Sequence, residues 1–248
     1  MCTLAVYYRM FPGLPVCLAA NRDEFYARPT RHPALISRAP HIFGGQDEVA
    51  GGSWLTLSEN GLIIGVLNRR TKPGTPQDRT SRGQLCLDLA RLGSATAAAA
   101  YIAELPTATH NPFNILIADA ENAFVAQNRA AGMSVVAIDP GLHVLTNLDL
   151  NDHECPRISH SWAYFAAAGE AFQAQQDPAE FRRRLQTVLS DHVTAVDDRQ
   201  PTDQICIHTP GYGTRSSSMI FLHEGSGPEF YHASGAPCET NYEKLPQT

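Results

Sequence analysis

The run Leu62-Ile63-Ile64-Gly65-Val66-Leu67 is apolar at every position. Successive side chains of a strand point to opposite faces, so a strand built from this run must be covered on both sides. Residues 54–58 precede it, and Glu59-Asn60-Gly61 joins the two with the Asn-Gly pair of a tight hairpin. The rest of the chain supplies the covers. Residues 2–8 and 15–21 form another hairpin around Phe11-Pro12-Gly13. Residues 26–40 are rich in Arg and Pro and read as a long structured loop, as does the polar stretch 69–81. Helices are expected over 82–92 and 95–105, the second stopped by Pro106. Strands follow at 113–118, 123–128, 133–138 and 142–146. Two more helices span 156–175 and 178–193, the latter opened by the cap Asp177-Pro178. Strands at 205–208, 217–223 and 229–232 close the chain, and the tail after Gly235 reads as irregular. Strands and helix pairs thus come in blocks, which excludes a regularly alternating parallel sheet. Two-faced strands with helix pairs to spare imply an α+β fold, a four-layer α-β-β-α sandwich, in a single domain over 1–248.

Composition narrows the partners. The 248 residues carry a net charge of −6, which argues against a basic face for nucleic acid. No stretch approaches the roughly 18 apolar residues of a transmembrane helix. No secretory signal pattern opens the chain. The six cysteines are scattered without a C-x-x-C pair, so the usual zinc, thioredoxin and c-type haem spacings are missing. Free thiols in a cytoplasmic protein, with no metal and no required cofactor, are the expectation.

Candidate chemistry centres on Cys2. With Met1 removed, its α-amine titrates at about 7.7–8.0 beside a thiol near about 8.5. That pairing equips an N-terminal nucleophile; the alternative is a cysteine that only opens a buried strand. Asn21-Arg22-Asp23-Glu24 leaves the core strand 15–21 as a dense polar cluster. It either faces Cys2 across the hairpin or is an ion pair of Arg22 with Glu24 or Asp23. Asn68 and Asn147 each end an apolar strand, as oxyanion donors or as turn residues. Pro210-Gly211-Tyr212-Gly213-Thr214-Arg215 either cradles a carboxylate or phosphate or simply turns. Gly51-Gly52-Ser53-Trp54 either lines a pocket or turns.

Together with Leu18-Ala19-Ala20, Phe25-Tyr26, Arg28-Pro29, Leu67-Asn68, Arg82-Gly83-Gln84-Leu85, Asn111, Phe113-Asn114 and Leu145-Thr146-Asn147, these pieces resemble the NRDE family, also called the transport and Golgi organisation protein 2 family. The resemblance runs the length of the chain. It implies the N-terminal nucleophile hydrolase fold, similar at a distance to bile-salt and penicillin V hydrolases. By that resemblance Cys2 is the nucleophile of a non-peptide amide or acyl hydrolase and Asp23 orients its amine. Asn21, Asn68 and Asn147 complete the catalytic set. Arg22, Glu24, Arg28, Trp54, Tyr212 and Arg215 surround the small-molecule ligand. In those hydrolases the arginine precedes the aspartate by several residues, whereas Arg22 adjoins Asp23, so alternation turns the two side chains to opposite faces. The family is also implicated in haem trafficking and acyl-CoA or lipid handling. A non-catalytic carrier of haem or acyl-CoA in the same pocket is therefore the alternative.

Overall fold

The computed structural model describes residues 2–69, 79–193 and 203–246. Met1 and most of the loop expected over 69–81 lie outside them. The chain divides into two compact units, residues 28–139 on one side and residues 1–27 with 140–246 on the other.

The discontinuous unit holds a sheet whose described strands run β10 (Gly141–Leu145), β1 (Thr3–Phe11), β2 (Leu14–Phe25), β12 (Tyr212–Leu222), β13 (Glu229–Ala233), β14 (Glu243–Lys244), with β11 (His208–Thr209) paired to β12. Every pairing is antiparallel. Helices α3 (Pro156–Gln175) and α4 (Pro178–Leu189) pack on one face of it. Asp177 caps α4 as its sequence suggests, accepting from the Ala179 and Glu180 amides at 2.9 and 3.2 Å. The odd-numbered residues Ala5, Tyr7, Cys17, Ala19, Met219 and Phe221 face the helices and join their core. Phe181 of α4 anchors it, stacked on Phe172 with centroids 4.6 Å apart and edge-on to Tyr7 and Phe11. Gly169 lets α3 come down on this cluster, since a Cβ there would meet the Tyr7 ring at 2.9 Å.

The other unit is a seven-stranded antiparallel meander, β3 (Thr30–Arg38), β4 (His41–Asp47), β5 (Leu55–Ser58), β6 (Ile63–Asn68), β7 (Phe113–Ala118), β8 (Ala123–Arg129) and β9 (Gly132–Ala137). Helices α1 (Arg82–Ala90) and α2 (Ala95–Ala103) cover Ile64, Val66, Phe113, Ile115 and Ile117. The opposite-facing Ile63 and Leu67 are buried too, as the two-faced run requires.

Four expectations are corrected. Residues 30–38 are strand rather than loop, and β4 follows them at 41–47; β3 is an edge, where a proline such as Pro33 removes no ladder bond, and its register slips beside it. The stretch 212–216 is strand, paired along β2 and, at Tyr212 and Gly213, with β11. Helix α4 ends at Leu189 rather than 193. The tail contributes β14. Among the described residues no helix is long and apolar enough to cross a membrane.

Gly52 of Gly51-Gly52-Ser53-Trp54 and Gly83 of Arg82-Gly83-Gln84-Leu85 have one physical cause. A Cβ on Gly52 would lie 2.2 Å from the Gly83 carbonyl carbon and 2.6 Å from the Gln84 nitrogen, and the Ser53 amide donates to Gly83 O at 3.0 Å. The loop before β5 crosses the first turn of α1 backbone on backbone. Gly52→Ala is expected to cost about 3 kcal/mol, the upper end of overpacking penalties. Urea denaturation measures it, and an unchanged midpoint would disprove the crossing.

Candidate active site

The site grows from the register of β1. Thr3 pairs with Asn21 on β2, and Leu4 pairs with Leu145 on β10. Extended by one residue, the first register sets position 2 across from Arg22. On β2's other side Arg22 pairs with Ser216 of β12. Directly opposed residues share a face. Cys2, Arg22 and Ser216 therefore form one cross-strand row on the face away from α3 and α4, and Asn147 lies at a bend two residues past the end of β10. Asn147, Arg22 and Ser216 are buried, and Cys2 is intermediate. Glu24 shares that face, its Oε2 3.9 Å from Arg22 Nη2, and accepts from the Phe25 amide at 2.9 Å.

Asp23 belongs to the opposite, helix-covered face. Its buried carboxylate accepts from Thr214 Oγ1 at 2.7 Å and from Arg157 Nη1 at 3.3 Å. Arg157, itself 3% exposed, also donates to Thr3 Oγ1 at 3.1 Å. Burial pushes the Asp23 carboxyl up, while Arg157 and Thr214 pull the other way. Asp23 reaches the Cys2 side through its main chain. Its carbonyl accepts from Tyr212 Oη at 3.3 Å and lies 4.0 Å from Cys2 Sγ. Thr214 and Ser216 can serve opposite faces because the β2–β12 register slips between them, with Arg215 as the additional residue.

Burial likewise raises the Cys2 thiol, and the Arg22 guanidinium opposes it. A thiol raised in this way holds its proton at neutral pH, so reaction needs a base at the moment of attack.

The remaining expected residues have these places. Asn21 spends both amide hydrogens on the Leu189 and Ile205 carbonyls, at 2.8 and 2.9 Å, tying β2 to the end of α4. Arg215 donates to the Tyr26 carbonyl. Tyr212 meets Phe25 edge-on at 5.3 Å. Three lie in the meander unit. Arg28 Nε donates to Asp47 Oδ2 at 2.5 Å. Burial pushes the Asp47 carboxyl up, but Arg28 and the Ala50 and Val49 amides outweigh it and leave that carboxyl below its ordinary value. The Trp54 ring occupies the space a Cβ on Gly45 would need, 2.2 Å away. Asn68 ends β6 exposed, paired with Phe113.

Arg157 and Thr214 hold the Asp23 carboxylate; the sequence hides the first and shows the second only as part of the 210–215 motif. One signal exists for Arg157. It sits in the first turn of α3, where the helix dipole disfavours a cation, so a specific carboxylate has to hold it there.

Comparison with known proteins places this geometry. The family model described as Transport and Golgi organisation 2 matches residues 1–234. The Mus musculus Transport and Golgi organization 2 homolog is 28% identical over 248 residues, covering 90% of this chain and 88% of its own. Among solved structures, a Caenorhabditis elegans N-acylethanolamine-hydrolyzing acid amidase ortholog superposes with a TM-score of 0.63 at 12% identity, over 99% of this chain and 100% of its own. The C2A mutant of conjugated bile acid hydrolase from Clostridium perfringens gives 0.59 at 13%, over 99% and 97%. The fold is thus α+β and of the N-terminal nucleophile hydrolase type.

Proposed function

This chain belongs to the Transport and Golgi organisation 2 family, the NRDE family, and we propose that it acts as an N-terminal cysteine hydrolase on a non-peptide amide or related acyl compound. The observation that carries the reading is the row Cys2, Arg22, Ser216 across one sheet face, with buried Asn147 two residues past the end of β10. The amide class follows the two structural neighbours, whose names are an acid amidase and a bile acid hydrolase.

The chemistry starts with Met1 removed. The free amine of Cys2 accepts the thiol proton as Sγ attacks the acyl carbonyl carbon. The carbonyl π pair moves onto oxygen, where the Asn147 amide donates and the Arg22 charge stabilises the developing oxyanion. The C–N bond then breaks and the ammonium proton passes to the leaving amine. Water, deprotonated by the same amine, releases the acid from the thioester. The Asp23 carbonyl, beside Sγ, orients the thiol. Its carboxylate, fastened to Arg157 and Thr214, fixes the end of β2 from the other face.

Intact mass of the purified protein tests the first step, and Met1 is expected to be absent. Cys2→Ala should then lower turnover of a broad N-acyl amide panel at least about a thousandfold. Asn147→Ala should lower kcat about 100- to 1,000-fold. A fully retained methionine, or equal turnover in wild type and Cys2→Ala, removes the hydrolase. Saturable binding of acyl-CoA or haem without turnover would then identify a carrier.

A further inference from the structure

Four metal-binding side chains that the sequence scatters converge at the edge of the discontinuous unit. They are His192, just past the end of α4; Cys206 and His208, either side of Ile207; and Cys238 in the tail. One ligand atom from each lies within 4.8 Å of every other. Cys206 Sγ and Cys238 Sγ are 3.6 Å apart. His208 Nε2 is 3.7 Å from the first sulfur and 3.2 Å from the second.

The separations among Cys206, His208 and Cys238 match three corners of a tetrahedron, and His192 stands within 4.8 Å of each as the fourth. Zinc–sulfur bonds of about 2.3 Å and zinc–nitrogen bonds of about 2.0–2.1 Å put tetrahedral ligand atoms roughly 3.7 Å apart for two sulfurs and roughly 3.5 Å apart for sulfur and nitrogen. The surroundings also suit a metal. His192 Nδ1 is 3.0 Å from the Cys206 carbonyl. A proton on Nδ1 there leaves the Nε2 lone pair for an ion, the usual outer-shell arrangement of a ligating histidine. His192 and Cys238 line a groove of about 790 Å³ with Tyr164, Gln186 and Asp191, which gives an ion a path in.

We propose that His192, Cys206, His208 and Cys238 form a Cys2His2 site for one zinc ion. Binding exchanges two thiol protons for the ion. Two thiolates and two neutral imidazoles then balance its charge. All four positions are filled by protein, which makes the site structural rather than hydrolytic. It staples the end of α4, the 205–208 segment and the tail together. That segment also holds the hydrolase site: Ile205 O accepts from Asn21, and the Ile207 amide donates at 2.9 Å to Thr214 Oγ1, the hydroxyl that donates to Asp23.

The test uses the full chain, purified with a non-chelating reductant. Metal analysis after dialysis and titration with zinc alone against a chromophoric chelator should give one ion per chain. Cobalt(II) in its place should show thiolate charge-transfer bands in the near ultraviolet and the visible bands of a tetrahedral ion. Cys238 is exposed, so Cys238→Ser should fold. It is expected to weaken zinc binding at least about 100-fold and to lose part of the charge-transfer intensity. His208→Gln, also at an exposed position, should weaken binding likewise while keeping both thiolates. Circular dichroism confirms that each variant is folded. Failure of reduced wild type to bind stoichiometric zinc overturns the site, as does wild-type affinity in folded Cys238→Ser and His208→Gln. Either result leaves the Cys2 hydrolase untouched, because Cys2→Ala turnover is read separately.

Discussion

Arg157→Ala is expected to destabilise the protein by about 3–5 kcal/mol, because it leaves the Asp23 carboxylate buried without its cation. Asp23 has no exposed side-chain surface and Arg157 is 3% exposed, so water cannot replace either partner. The guanidinium also satisfies Thr3 Oγ1, which ties α3 to the first paired residue of β1. The effect has a distinctive arithmetic. Breaking a buried pair from one side costs more than replacing both partners with apolar groups. The double variant Asp23→Leu with Arg157→Met should therefore be less destabilised than Arg157→Met alone. Urea denaturation of the two singles and the double measures the coupling. Strictly additive losses would show that the pair contributes nothing as a pair.

Phe181→Ala is the second large loss expected, again about 3–5 kcal/mol. Phe181 is 1% exposed and touches Phe172, Tyr7, Phe11 and Phe221 with ring centroids between 4.6 and 6.2 Å. Its removal opens a cavity walled by rigid rings on α3, β1 and β12, which cannot collapse inward. Phe181→Leu fills most of that volume and should cost less. Thermal and urea unfolding of both variants check this, and equal losses would mean that ring contacts rather than volume govern the site.

The helices and the two early hairpins were legible because their signals are local. Asp177-Pro178 caps a helix, and Gly61 takes the positive φ of 76° that the Asn-Gly turn needs. The first half of β12, residues 212–216, was hidden because Gly, Thr and Ser favour turns in isolation. In the sheet the Thr214 hydroxyl finds its partners, donating to Asp23 Oδ1 and accepting from the Ile207 amide. Position in the sheet overrides propensity there. Strand β3 was hidden by Pro33, a residue that an edge strand tolerates. In the site, the Cys2 hairpin and the alternation within Asn21–Glu24 follow from strand order, but the register turns Arg22 and Glu24 rather than the Asp23 side chain to the Cys2 face. Arg157 approaches Asp23 from 134 residues away, and the His192–Cys238 set converges from three segments. No local rule encodes either meeting.

The slipped residue in β12 means that the spacing of this segment carries more information than the side chain at its centre. Substituting Arg215 alters one bond to the Tyr26 carbonyl. Deleting it would restore strict alternation and turn the 212–214 end of the strand over. Thr214 could no longer face Asp23 while Ser216 stayed opposite Arg22. Changing the side chain at 215 costs that one bond, whereas an insertion or deletion between Gly213 and Ser217 would exchange the chemistry of the two faces in a single step.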